Sequence, residues 1–128
     1  MKIHHLGIIT DSIEKSVNVY GKLGYTQMTN IVLDNIQHNR IVFLKNNDAN
    51  QVIELVQPLD EQSSVKNFKN SYHHLCYDVR EIPNFIEYFK TLKIGKIFTK
   101  PIIAPAINNC HIVFAYLNEG VFVEFIIL

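Results

Sequence analysis

The chain repeats itself, and this repeat constrains its fold more than any other feature of the sequence. Sliding the sequence by 69 positions, the separation of residues 5 and 74, places Ile3-His4-His5-Leu6 on Tyr72-His73-His74-Leu75. An offset of 70 places Val52-Ile53-Glu54-Leu55-Val56 on Phe122-Val123-Glu124-Phe125-Ile126. Such self-similarity predicts two copies of one structural module.

The first half of the chain predicts a strand, a helix and three further strands. Residues 2–9 alternate in polarity, as a half-buried strand does. Asp11 followed by Glu14 resembles a capping box, which predicts a helix that begins here and stops near Gly24. The three strands that follow are predicted at about 26–33, 39–45 and 50–57.

The second half repeats this order. A strand is predicted over about 72–79, and a helix near Pro83, a residue favoured in the first helical turn. Strands are then predicted near 96–100, 110–117 and 120–127. We therefore predict a single domain of the α+β class, built from two tandem βαβββ modules at 1–58 and 71–128 with a linker at 59–70. A sheet covered by a helix on one face needs cover on the other, so we expect the two sheets to form a half-barrel cleft.

Composition excludes several kinds of partner. The formal net charge of the 128 residues is zero, and nucleic-acid binding requires a basic surface. No run approaches the roughly 18 apolar residues that span a bilayer, and the N-terminus does not resemble a signal peptide. We expect a cytoplasmic protein whose Cys76 and Cys110 are reduced.

Four residues stand out at matched places in the two modules. His5 and His74 lie on the first strands, and Glu54 and Glu124 lie in the middle of apolar final strands. A bare buried carboxylate is costly unless a cation or a metal compensates it. If the modules are related by a pseudo-two-fold axis, the four side chains converge, and two imidazoles with two carboxylates suit Ni²⁺, Co²⁺, Mn²⁺, Fe²⁺ or Zn²⁺. The sequence predicts one divalent metal ion as the cofactor.

The competing interpretation is that these residues are structural. A single strand histidine is usually not a ligand, and a single strand glutamate usually faces solvent or pairs with a lysine or arginine. We expect His4 and His73, which alternate with the proposed ligands, to be structural. His38 and His111 could move protons near the cleft, although surface or hairpin positions suit them better.

The same stretches resemble the vicinal oxygen chelate superfamily, which includes glyoxalase I, methylmalonyl-CoA epimerase and extradiol dioxygenases. Ile3-His4-His5-Leu6-Gly7-Ile8 is similar to the opening strand of the family, and Tyr72 to Val79 to the second histidine strand of the epimerase. Glu54 to Leu59 and Gly120 to Phe125 resemble the two glutamate strands. By motif position the metal ligands are again His5, Glu54, His74 and Glu124.

The resemblance implies a metal-dependent lyase or isomerase, acting on a small thioester or thiohemiacetal. In such enzymes the metal polarises a carbonyl, a carboxylate removes the neighbouring proton, and the metal stabilises the enediolate. Glu124 or Glu54 could be that base. The glutamate that serves as base in some epimerases is replaced here by Ile41, and the first strand lacks the arginine usual in glyoxalases.

Other interpretations of the sequence remain open. The same superfamily contains metal-free drug-binding resistance proteins, extradiol dioxygenases, and members without activity. The segment Lys100–Ile107 is either a rigid loop over the cleft or a connector packed on the sheet. Exposed strand edges, and the resemblance, favour a homodimer.

Overall fold

The computed structural model describes residues 1–128, which form ten strands and two α-helices. The predicted α+β class is confirmed. The chain divides into two compact units: a first unit of residues 5–73, and a second unit of residues 1–4 and 74–128. Neither α-helix is long and apolar enough to cross a membrane.

The first unit is a sheet covered by one helix. From its middle outwards, strand β5 is antiparallel to β4 and parallel to β1, and two short strands, β2 and β3, both pair with β4. Its elements are β1 (Lys2–Ile9, of which residues 5–9 lie in this unit), α1 (Ile13–Gly21), β2 (Tyr25–Gln27), β3 (Val32–Asp34), β4 (Asn39–Asn46) and β5 (Val52–Pro58).

The second unit has the same topology. Strand β10 is parallel to β6 and antiparallel to β9, and β7 and β8 both pair with β9. Its elements are β6 (Ser71–Asp78, of which residues 74–78 lie in this unit), α2 (Phe85–Leu92), β7 (Gly95–Ile97), β8 (Ile102–Ala104), a short 3₁₀ helix (Pro105–Ile107), β9 (Cys110–Leu117) and β10 (Phe122–Ile127). The predicted repeat of the element order is therefore present in the fold.

The strand predicted at 26–33 is interrupted, and here the prediction was wrong in detail. The backbone leaves the ladder between Gln27 and Val32. The reason is that the Thr29 hydroxyl accepts the hydrogen bond of the Phe43 amide at 3.0 Å, and the Gln27 side chain donates to the Thr29 carbonyl. Side chains thus replace backbone partners at the break.

The apolar segment Lys100–Ile107 forms part of the sheet. Ile102–Ala104 pairs with β9, and the following 3₁₀ turn buries Ile107. This placement favours the connector interpretation over a loop across the cleft. Pro101 precedes the strand, where its missing amide removes no ladder bond.

Both helices begin later than predicted. Ser12, not Asp11, is the N-cap of α1, and its hydroxyl accepts from the Lys15 amide at 3.2 Å. The Asp11 side chain instead accepts a hydrogen bond from the Asn70 amide group. Helix α2 starts at Phe85, so the predicted first-turn proline lies just before it.

Each helix covers one face of its own sheet with apolar side chains. In the first unit Ile13 of α1 packs on alternate residues of β4 and β5; in the second, Phe85 and Phe89 of α2 pack on alternate residues of β9 and β10. Because successive strand residues point to opposite faces, Glu54 and Glu124 must point away from the helices.

The predicted linker is held against the β3–β4 turn. The Ser63 hydroxyl donates to the Asn39 side-chain oxygen, the Asn39 amide group donates to Ser64, and the Leu59 amide donates to the His38 carbonyl. Asn39 and Ser63 are both buried, and this network satisfies their polar atoms. The linker is therefore an integral part of the first unit.

We expect Phe89→Ala to lower the free energy of unfolding by about 3–5 kcal/mol, because it opens a cavity in the core of the second unit. Tyr88→Ala is the matched control, since Tyr88 is on the same helix but largely exposed. Urea unfolding measures both variants. An equal loss in the two would contradict this assignment of the buried helix face.

Candidate functional site

The first unit buries a histidine beside a glutamate. Gly7 of β1 is the register partner of Glu54 on β5, and His5, two residues earlier, lies on the same face of the sheet. His5 is 1% exposed and Glu54 5%. The distance from His5 Nε2 to Glu54 Oε1 is 3.5 Å.

The second unit repeats this arrangement. Cys76 of β6 is the register partner of Glu124 on β10, and His74 precedes it by two residues. Both His74 and Glu124 are buried, and His74 Nε2 lies 3.0 Å from Glu124 Oε2. The two units therefore carry the same imidazole–carboxylate pair at the same register.

The donor atoms of each pair fit a first-row divalent metal ion. Such ions bind imidazole nitrogen and carboxylate oxygen at roughly 2.0–2.2 Å, so two ligands at right angles lie roughly 3 Å apart. The separations of 3.5 and 3.0 Å are close to this value. A divalent ion would also supply the positive charge that a buried carboxylate requires.

Phenylalanines flank the two histidines, and the sequence analysis missed them. Phe43 is the cross-strand partner of Glu54, and Phe114 that of Glu124. The ring centroids lie 5.1 Å apart for His5 and Phe43, and 6.1 Å apart for His74 and Phe114. An offset of 71 aligns the two phenylalanines, so the repeat could have revealed them. They give the pairs an apolar surrounding, which strengthens electrostatic interactions there.

The remaining histidines take surface or packing positions. His38 lies at a turn with its Nδ1 3.2 Å from the Asp60 carboxylate, and His111 is exposed on β9. The pKa of Asp60 is lowered, first by the hydrogen bond from the Gln62 amide and then by that from His38. His73 packs edge-on against Phe68, with ring centroids 4.7 Å apart.

His4 lies near Asp78, a carboxylate of the second unit. Hydrogen bonds from Arg80 are the main reason that the pKa of Asp78 is lowered, and the charge of His4 adds a smaller effect. The Arg80 guanidinium also contacts the sulfur of Cys110 at 3.5 Å.

Ile41, which the resemblance aligns with the base of some epimerases, lies on β4 opposite Val56. It is 5% exposed, so an apolar side chain fills this place on the same face as Glu54. Asp34 of β3 is also buried in this part of the sheet, but its carboxylate accepts hydrogen bonds from the Ile36 and Gln37 amides, so the carboxylate beside the buried histidine is Glu54. Glu124 is its equivalent in the second unit.

Comparison with known proteins identifies the family. The model of the glyoxalase/bleomycin resistance protein/dioxygenase superfamily matches residues 4–114. The chain therefore belongs to this superfamily, as its histidine and glutamate strands predicted. No curated protein sequence matches it.

Solved structures share the fold. A hypothetical protein from Bacillus halodurans is 25% identical, with a TM-score of 0.83 and coverage of 99% of this chain and 94% of its own. Methylmalonyl-CoA epimerase from Mycobacterium tuberculosis is 19% identical, with a TM-score of 0.81 and coverage of 98% and 87%. A Streptomyces coelicolor methylmalonyl-CoA epimerase variant in complex with 2-nitronate-propionyl-CoA is 17% identical, with a TM-score of 0.78 and coverage of 99% and 96%.

We expect the double variant His74→Leu/Glu124→Leu to be at least as stable as wild type in the presence of a chelator, by up to about 4 kcal/mol. Replacing a buried ion pair with apolar side chains removes its desolvation cost, whereas removing only one partner leaves a buried charge. Urea unfolding in a chelator tests this. A double variant that loses more than about 2 kcal/mol would show that the pair serves stability rather than binding.

Proposed function

We propose that His5, Glu54, His74 and Glu124 together bind one divalent metal ion, and that the chain is an isomerase or lyase that moves a proton next to a carbonyl group. The observation that supports this most directly is the recurrence of one buried imidazole–carboxylate pair at the same register in two equivalent units. A structural role would not require the same costly pair twice.

The donor set restricts the metal. Two imidazole nitrogens and two carboxylate oxygens would suit Ni²⁺, Co²⁺, Mn²⁺, Fe²⁺ or Zn²⁺, and an ion held by these four residues could also bind substrate oxygens. Bound there, such an ion supplies Lewis-acid polarisation of a substrate carbonyl.

The reaction itself requires a base within reach of an acidified C–H bond. Glu124 or Glu54 accepts this proton, and the electron pair of the C–H bond moves onto the neighbouring carbonyl oxygen. In an isomerisation the same carboxylic acid returns the proton to the adjacent carbon. In an epimerisation the other glutamate, protonated beforehand, would donate a proton to the opposite face of the same carbon, and the two side chains then exchange protons with solvent. Ile41 and Phe43 cannot take part in proton transfer, so they serve to exclude water.

The substrate class we propose is a small thioester or thiohemiacetal, as in epimerases and glyoxalases. The epimerase neighbours support the first of these, and the superfamily that matches the chain supports both. We also propose a homodimer. A metal-free drug-binding protein of the same fold is the alternative, and the absence of metal binding in solution would favour it.

Metal binding should raise stability in a residue-specific way. At a hundredfold excess of ion over its dissociation constant, wild type should gain about 3 kcal/mol, measured by thermal unfolding with Ni²⁺, Co²⁺, Mn²⁺ or Zn²⁺. His5→Ala and His74→Ala should each lose this gain. His111→Ala, which removes an exposed histidine, is the control and should keep it. No gain with any ion, or an equal gain in all variants, would contradict the proposed site.

Proton transfer should be visible as exchange with solvent. Incubated in D₂O with methylmalonyl-CoA or the hemithioacetal of methylglyoxal, the metal-loaded protein should incorporate deuterium at the carbon next to the carbonyl. We expect Glu124→Gln or Glu54→Gln to slow the exchange at least a hundredfold, the usual contribution of a general base. A wild-type protein that binds metal but exchanges neither substrate would contradict these two substrate classes.

A further inference from the structure

Four aromatic rings form a continuous cluster that starts at His74 of the second unit. Phe114 and Phe122 both contact the His74 ring, with centroids 6.1 Å away, and they stack on each other at 5.1 Å. Phe98 and Tyr116 stack at 5.0 Å, and both contact Phe122. We call these four residues the aromatic cluster.

The outer part of the aromatic cluster faces solvent. Phe98 and Tyr116 are each 48% exposed, whereas Phe114 is buried. Half-exposed stacked rings forgo much of the free energy that burial of aromatic side chains provides. A contiguous apolar surface of this kind usually marks a place where a ligand or partner binds.

The first unit serves as an internal control, because its backbone is equivalent residue by residue. In the first unit the Met28 amide donates a hydrogen bond to the Phe43 carbonyl. In the second unit the Phe98 amide donates one to the Phe114 carbonyl. The Phe43 amide donates to the Thr29 hydroxyl at 3.0 Å, and the Phe114 amide to Thr99 at 2.9 Å. These bonds fix Met28 as the counterpart of Phe98.

The same register identifies the other counterparts. Lys45 pairs with Val52 across β4 and β5, as Tyr116 pairs with Phe122 across β9 and β10. The first unit thus carries Met28, Lys45 and Val52 where the second unit carries three of its four clustered rings. Since the first unit forms the same fold without these rings, the fold does not require them.

We infer that the aromatic cluster is a specificity surface that stacks against a flat aryl group of the substrate, attached next to the oxygens that bind the metal. This inference rests on the proposed function. The rings run outward from a proposed metal ligand, so an aryl group joined to the chelating oxygens meets them directly. Tyr116 and Phe98 offer the open ring faces, and stacking on them favours planar groups over alkyl groups.

Two chelators that differ only in the attached group test this inference. Benzohydroxamate and acetohydroxamate both bind metals through two neighbouring oxygens, but only the first carries an aryl ring. Isothermal titration of the Ni²⁺-loaded protein should give about tenfold tighter binding of benzohydroxamate, which is roughly 1.4 kcal/mol and within the range of a stacked aromatic pair.

Replacing residues of the aromatic cluster by their counterparts from the first unit tests whether the cluster causes the preference for benzohydroxamate. In the double variant Phe98→Met/Tyr116→Lys, each ring is replaced by the residue at the equivalent position of the first unit. This variant should abolish the tenfold preference for benzohydroxamate. Its affinity for acetohydroxamate should stay within about twofold of wild type. The single variant Tyr116→Lys should reduce the preference in the same direction. Met28→Ala removes a comparably exposed side chain from the first unit, and it should leave the preference unchanged.

Three other outcomes would overturn the inference, and they are distinguishable from one another. Equal binding of both chelators to the metal-loaded protein rejects the aryl specificity but leaves the proposed function standing. No binding of Ni²⁺ rejects both. A change of oligomeric state in Phe98→Met/Tyr116→Lys, measured by sedimentation, assigns the surface to a second copy of the chain.

The adenine ring of an acyl-CoA is a second possible source of a flat aromatic group. It lies far from the reacting carbonyl, so we expect free coenzyme A not to compete with benzohydroxamate for the Ni²⁺-loaded protein. Competition that Tyr116→Lys relieves would assign the aromatic cluster to the nucleotide and overturn the inference of an aryl group beside the chelating oxygens.

Discussion

Glu54 and Glu124 are carboxylates buried in strands whose neighbouring residues are apolar, and each lies beside a buried histidine. The removal of an ionised carboxylate from water costs several kcal/mol unless a partner of opposite charge offsets it. The rest of the site follows from that constraint. In the site that we propose, a divalent cation would supply positive charge beside both carboxylates, and the phenylalanines that contact the two histidines surround the pairs with apolar side chains.

The repeat made most of the fold predictable from the sequence. Long strands with clear alternation, such as β1, β4 and β9, were predicted within one or two residues of their bounds. The same alternation indicated which face of β5 and β10 carries the glutamates. The four proposed ligands came from comparing the two halves, because each alone would have been an ordinary strand residue.

Other features depend on interactions that a sequence pattern does not reveal. The break between β2 and β3 accompanies two side-chain hydrogen bonds at Thr29, and β8 lies in an apolar segment that contains prolines. Asp11 seemed to be the helix cap, but its carboxylate is engaged by Asn70, which is distant in sequence. The aromatic cluster was missed for a different reason. A sequence repeat reveals what the two halves share, and the aromatic cluster is a difference between them.

The number of metal ions bound per chain tests the central claim most directly. Titration with Ni²⁺ or Co²⁺, followed by native mass spectrometry, should find one ion per chain, and loss of His5 or of His74 alone should abolish its binding, because both histidines are proposed ligands of the same ion. Two ions per chain, with each histidine variant retaining one, would show that each imidazole–carboxylate pair acts separately. That result, or no bound ion at all, would contradict the account.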